Sequence, residues 1–396
     1  MELLKSTERL MFLSLCGLFF LIPVATSPSV IVGLTTLAIW VFSGKFIKNR
    51  SWLKQRWSLP VIAMMLLPWV GLLWTEDVTT GLSFARKSHY WLFAFAIASL
   101  SFSSLRVDAL MKAYIGGVSF TALLFLMQLA GAIPMRPPYS VGLLNKWAHI
   151  SFSLLLTFSV LLLSFYFKEA KQKRDKVICL CLMLLNFLAL SMLFSDSGHL
   201  AFILLSPLVA YNILSKRHLL NVLIVSALMT GALFLSPVTQ NRLIEAVTGT
   251  ITYTESTDLT PIGGRYYMWT GALKIYLKNP VFGIGTGGYQ SEIRKLRING
   301  QLAEKIITED PIQPHNSFLY MAVSFGIPGI ITLVWLFALL IKSGWQNRSS
   351  LTGFSILAFT LTLLIGSLTD TQILQVHTGM LFALFTGLSG TSDERV

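Results

Sequence analysis

Two residues within the stretch Pro237 to Tyr320 have types and settings suited to chemistry: Arg265 and His315. Arg265 follows Gly263-Gly264, and residues 265–278 read as an amphipathic helix with Arg265, Trp269, Ala272 and Tyr276 on one face. A cation in the first turn opposes the helix dipole unless an anion sits at the free backbone N–H groups and is shared with it. Arginine grips phosphate through two parallel N–H bonds, so phosphate is the anion that fits. A solvated arginine, or an ion pair with Glu255 or Asp258, stands as the alternative. His315 follows Pro314, which biases Gln313 to extended backbone, and precedes Asn316-Ser317, either of which can cap the next hydrophobic run. A neutral imidazole held there can take a proton from a hydroxyl near neutral pH, as a general base does. A purely structural histidine is the competing reading.

Other basic residues fall near the same places. Arg86 and Lys87 precede the fourth hydrophobic run, Arg136 lies in Pro134-Met135-Arg136-Pro137-Pro138, and Lys146 and His149 precede the sixth. Singly, each reads as an interfacial anchor, because long basic side chains snorkel to lipid headgroups. Collectively, with Arg265 and His315, they would line a basic cavity for a phosphate-bearing lipid, with Tyr266, Trp269 and Asn316 beside its two principal residues. Gly283-Ile284-Gly285-Thr286-Gly287-Gly288 has the spelling of a dinucleotide-binding loop, but a helix and Asn279-Pro280 precede it where a strand should stand. A tight turn beside a head group is the better reading. Outer-face carboxylates such as Glu76, Asp196, Glu245, Asp310 and Asp370 are scattered and form no compact acidic motif for a cation, so neither a metal nor another cofactor is expected.

The elements that must position these residues are set by composition. The chain is 54% hydrophobic and 12% charged over 396 residues, against roughly a quarter charged in a soluble domain. Hydrophobic runs without strand alternation fall at about residues 10–25, 29–44, 59–74, 89–105, 109–132, 148–167, 176–194, 199–214, 219–236, 318–341, 351–368 and 374–388. The expected fold is therefore an all-α polytopic membrane protein of about twelve transmembrane helices, with one large, mostly helical segment between spans nine and ten. That divides the chain into residues 1–236, 237–317 and 318–396. Gly and Pro within runs read as kinks or close packing, and mid-span Gln128 and Asn186 as interhelical hydrogen bonds. Cys16, Cys179 and Cys181 lie in hydrophobic runs and read as packing residues.

A net charge of +13 would point a soluble protein toward nucleic acid; here it is sorted by membrane side, and nucleic acid is not an expected partner. With twelve spans, nineteen of the 31 Lys and Arg residues fall at the termini and the connections that share their side. By the positive-inside rule both termini are cytoplasmic and residues 237–317 face outward, into the periplasm of a bacterium.

These residues resemble a known family. Gly264-Arg265-x-x-Met268-Trp269, then Asn279-Pro280-x-x-Gly283-x-Gly285-x-Gly287-Gly288-Tyr289, then His315-Asn316-x-Phe318-Leu319 with Gly326-Ile327-Pro328-Gly329 are similar to the O-antigen ligase and polymerase superfamily. The resemblance covers nearly the whole chain. It implies an inverting, metal-independent membrane glycosyltransferase of the bacterial inner membrane, acting in lipopolysaccharide assembly. Such an enzyme moves a glycan from undecaprenyl pyrophosphate to a sugar hydroxyl of lipid A-core. Carried over by motif, Arg265 binds the donor pyrophosphate and His315 activates or positions the acceptor hydroxyl. One departure stands out: where the family has an arginine between small residues at the start of the eighth span, this chain reads Ser195-Asp196-Ser197-Gly198-His199. Either His199 (if protonated), Arg136 or Arg86 supplies that charge instead, or the chain has weakened activity or a different donor. Two other readings are a polymerase, whose acceptor is another lipid-linked glycan, and a lipid or solute transporter. Against the transporter, neither mid-span ionisable residues nor repeat symmetry is evident.

Overall fold

In hydrocarbon, backbone N–H and C=O groups find no water, so long apolar runs satisfy them internally as helices. The computed structural model describes residues 2–48, 51–100, 103–135, 140–144, 148–214, 218–253, 261–303 and 309–390. Among these residues the protein is all-helical, with seventeen α-helices, short 3-10 turns and no strand. The helices are α1 (Glu2–Leu21), α2 (Thr26–Phe42), α3 (Lys45–Lys48), α4 (Ser58–Val70), α5 (Val78–Ala85), α6 (Leu92–Ala98), α7 (Ser104–Leu129), α8 (Ala148–Glu169) and α9 (Lys173–Met192). They continue as α10 (Asp196–Ile213), α11 (Leu219–Leu233), α12 (Pro237–Ile251), α13 (Pro261–Lys278), α14 (Tyr289–Ile298), α15 (Ser317–Gln346), α16 (Leu351–Thr369) and α17 (Val376–Ser389).

Every hydrophobic run has a helical segment at its centre. Five helices among the described residues, α7, α8, α9, α15 and α16, are long and apolar enough to cross a membrane, and the pair α11 and α12, bent by 91°, is a sixth if read as one span. Of the remaining runs, several are shorter or broken, and the 20-residue α1 carries Lys5, Glu8 and Arg9. The run at 59–74 passes from α4 into a 3-10 turn at Gly71, and the run at 89–105 begins as a 3-10 turn, Arg86–Trp91, before seven residues of α6. The break at Gly71 has a visible cause: Thr286 donates from N to the Gly71 carbonyl and from Oγ1 to the Pro68 carbonyl, so the C-terminal end of α4 opens to receive another segment.

The centre of the bundle is α8, 83% buried along its apolar window against 33% for α9. Its small residues let neighbours approach closely. A Cβ on Gly198 would collide with Ser153, and Thr157 Oγ1 donates to the Gly198 carbonyl at 3.1 Å, which fixes the start of α10 against α8. Asn186 donates to Oγ of Ser119 and of Ser159, at 3.2 and 2.9 Å, tying α9 to α7 and α8 as its mid-run position implies.

The segment between α11 and α15 has a small core of its own. Tyr267, Ala272, Ile275, Tyr289, Ile293, Leu296 and Leu302 pack together with Val323 of α15. The glycine-rich turn is the joint between this segment and the bundle. Gly283, Gly285 and Gly287 take φ of 68°, 83° and 90°, where a side chain is strained, and a Cβ on any of them would strike the backbone of α15, of the turn at Gly71, or of α5. Opposite them, α15 is interrupted at Gly326 (φ 62°, ψ −146°), and Ile327 N donates to the Pro280 carbonyl. The turn serves helix packing; it does not line the cavity described next.

Candidate functional site

Helix α13 begins at Pro261, whose fixed φ suits a first helical position, four residues before the expected start. Arg265 therefore completes the first turn instead of opening it. The buried seam of α13 is Gly263, Tyr267, Gly271 and Ile275, and Arg265 lies off that seam. Its Nη1 donates to Asp196 Oδ2 at 2.8 Å. The ion-pair partner is thus the first residue of α10; Glu255 and Asp258, considered from sequence, lie outside the described residues.

Asp196 holds a second guanidinium. Arg242 on α12 donates from Nε and Nη2 to the two oxygens of Asp196, at 2.9 and 2.6 Å, and from Nη1 to Glu245 at 2.9 Å. Its guanidinium lies 4.2 Å from the ring centroid of Phe194. Both helix starts are anchored. Ser195 Oγ is 2.8 Å from Ser153 Oγ of α8, and Thr239 Oγ1 donates to the Ser191 carbonyl at the end of α9.

His315 is the one non-glycine residue with positive φ, 47°, among the described residues. Such backbone persists only where neighbours over-determine it. Here they do. Asn316 caps α15, accepting at Oδ1 from the N–H groups of Phe318 and Leu319, while its Nδ2 donates to the Leu368 carbonyl at the end of α16. Asn316 N donates to Thr371 Oγ1, and Ser317 Oγ to the Asp370 carbonyl. The start of α15 is thereby stapled to the end of α16, and His315 Nδ1 comes within 2.7 Å of Asp370 Oδ1. The Asp370 side chain is 2% exposed, and its other oxygen accepts from Gln372 Nε2 at 2.9 Å.

Arg265, Arg242, Asp196, His315 and His149 line one cavity of about 480 Å³. The rest of its wall is mostly apolar: Phe125 and Leu129 of α7, Ile150 of α8, Met192 of α9, and Val141, Leu193 and Phe194 between helices. The charged and imidazole side chains suit an anion and a hydroxyl; the apolar side chains suit hydrocarbon.

Of the residues singled out from sequence, Arg265, His315 and His149 meet in this cavity. Arg136 and Lys146 lie outside the described residues. Lys87 lines a separate small cavity with Phe84, Trp91 and Tyr320, its ammonium 5.5 Å from the Phe84 ring centroid, and Arg86 is exposed at the end of α5. His199 is buried and turned back toward α9, its Nε2 2.8 Å from the Leu190 carbonyl. Tyr266 and Trp269 stack edge to face with centroids 6.2 Å apart and do not reach the cavity, and Asn316 is used up as a cap. Arg242, Asp196 and Asp370 were not singled out. Asp370 had one sequence signal, a carboxylate at the end of an apolar run, where an ionisable group is costly unless it is used. The charge beside Asp196 comes from Arg242, not from His199 or Arg86.

Among the described residues no group of three or more His, Cys, Asp and Glu side chains is placed to hold a metal ion. No curated relative matches the chain. Residues 181–334 match the family model described as O-antigen ligase, a stretch that runs from α9 into α15 and contains Asp196, Arg242, Arg265 and His315. Over that segment the chain is similar to the O-antigen ligase family.

Proposed function

We propose that this protein is a membrane glycosyltransferase that moves a glycan from undecaprenyl pyrophosphate to a sugar hydroxyl of lipid A-core. The observation that carries the proposal is the cavity in which a guanidinium and an aspartate-backed imidazole converge next to an apolar wall. A polyprenyl diphosphate has the matching halves: a chain for the wall and a diphosphate for Arg265. With its Nδ1–H donated to Asp370, His315 keeps Nε2 as the proton acceptor. In the reaction, Nε2 takes the proton of the acceptor hydroxyl, and that oxygen attacks the anomeric carbon. The bond from this carbon to the diphosphate oxygen breaks, its electron pair leaves with the diphosphate, and the configuration inverts. Arg265 meets the charge that grows on the leaving group, where a fixed donor counts most. The orientation belongs to the same proposal: twelve spans, cytoplasmic termini, and the cavity open to the periplasm of the inner membrane.

Transfer from purified lipid-linked glycan to lipid A-core by the purified protein tests this reading. Deletion of the gene should leave bare core, with glycan stranded on the carrier lipid. Core bearing a single repeat unit would instead make the protein a polymerase, and unchanged lipopolysaccharide with no transfer in vitro would end the proposal.

A further inference from the structure

Resting on that reading, a second step concerns what occupies the anion site before the donor arrives. We propose that Asp196 is a displaceable internal anion: it holds the place of the donor diphosphate between Arg242 and Arg265, and the diphosphate takes that place when it binds. Three N–H donors from two arginines converge on one carboxylate, the arrangement that also grips two phosphoryl oxygens. The carboxylate is the accessible member of the cluster, with its side chain 26% exposed against 10% for Arg242 and 13% for Arg265. The Arg242 guanidinium does not depend on it alone. Arg242 keeps its bond to Glu245 and its place against Phe194 when Asp196 turns away, and Arg265 gives Asp196 only Nη1, leaving Nε and Nη2 for a ligand.

Charge points the same way. With Asp196 and Glu245 in place, the two arginines are neutralised and the cluster has no reason to draw in a dianion. With Asp196 turned aside it carries a net positive charge. The exchange also serves product release, because the diphosphate that leaves the sugar is more anionic than the one that entered, and the returning carboxylate competes it off. Arg242 is by this account the second diphosphate ligand.

The test is calorimetric binding of inorganic pyrophosphate to the full chain in detergent, with melting temperature recorded for every variant. Asp196→Asn removes the competing charge and keeps the side chain's size, so it should bind about tenfold tighter or better, as loss of a like charge at an anion site allows. Asp196→Glu keeps the charge and should stay near wild type. Arg242→Gln should bind at least about tenfold more weakly, as loss of a charged hydrogen-bonding partner does. In transfer assays Asp196→Asn should be more strongly inhibited by pyrophosphate, a readout that a merely structural aspartate would not move. Folded Asp196→Asn protein that binds pyrophosphate no better than wild type, or worse, overturns the proposal, as does full competition by phosphatidylglycerol in the micelle, which would make the cavity a phospholipid site. If Asp196→Asn fails to fold, full-strength binding by Arg242→Gln overturns it instead. Arg265→Ala separates the two levels. Undiminished pyrophosphate binding in that variant removes the diphosphate site altogether, whereas its loss without a gain in Asp196→Asn removes only the internal anion.

Discussion

The carboxylate of Asp370 lies 2.7 Å from Nδ1 of His315, joining residues 55 apart in the chain at the facing ends of α15 and α16. A buried carboxylate on one ring nitrogen fixes the tautomer and the aim of the other. Asp370→Asn keeps the shape but can offer its amide N–H instead, which favours the wrong tautomer. We expect it to lower single-turnover transfer by roughly 10²–10⁴-fold, the range in which general-base contributions fall, with little change in melting temperature. Transfer at the wild-type rate by folded Asp370→Asn protein would leave the bond a structural one.

Much of this arrangement was legible in the sequence, and the limits have physical causes. The helices follow from hydrophobic run length alone, and Arg265 and His315 stood out because each combines an unusual position with a defined chemistry. What run length does not encode is where a run breaks: Gly71 ends α4 early because Thr286, far along the chain, inserts there. Pairings across the bundle were equally hidden. Arg242 sat among other basic residues of a polar segment, and only the docking of α12 onto the end of α9 brings it to Asp196. Trp269 shares a helix face with Arg265 by angle, yet four residues advance it by about 6 Å along the axis, away from the cavity.

The segment outside the bundle should be acid-sensitive through Asp310. Burial raises its carboxyl pKa, but the hydrogen-bonded guanidinia of Arg297 and Arg294 outweigh this and hold it below the usual carboxylate value. A pKa depressed by folding contributes stability above the unfolded value and loses it as pH falls through the folded one. At neutral pH Asp310→Asn should therefore melt below wild type. The gap should narrow as pH is lowered from about 5 to about 3, and a gap independent of pH would mean that the ion pairs contribute nothing.

Membrane orientation is open to reporter fusions. Placed after Lys173 and after Lys216, they should read cytoplasmic, and near Leu259 and Leu302 periplasmic, because the basic residues divide unevenly between the faces. A cytoplasmic signal at Leu259 would put the cavity on the wrong side for a periplasmic acceptor.

If guanidinium groups, and not a cation, neutralise the leaving diphosphate, transfer should proceed unchanged in EDTA. Loss of activity on chelation with recovery on adding magnesium would require a metal that the proposed chemistry does not use.

Arg265 and His315 are assigned different steps, so their variants should fail differently. Arg265→Lys keeps a positive charge but replaces the planar fork with a point charge, and Arg265→Ala removes both. Both should bind lipid-linked donor more weakly and transfer more slowly, with alanine the worse, because the lost contact is to the diphosphate in the ground state and strengthens as the bond breaks. His315→Ala should bind donor as wild type does and lose rate by roughly 10²–10⁴-fold, since the proton it accepts belongs to the acceptor. The distinguishing measurement is donor affinity on the same preparations used for single-turnover transfer and melting temperature. His315 also sits in left-handed backbone beside the cap of α15, where glycine is less strained than alanine. His315→Gly is therefore the control for backbone strain: it should be as inactive as His315→Ala while melting no lower than it. Recovery of transfer in the glycine variant would show that the alanine defect was one of folding, and would take the imidazole out of the reaction.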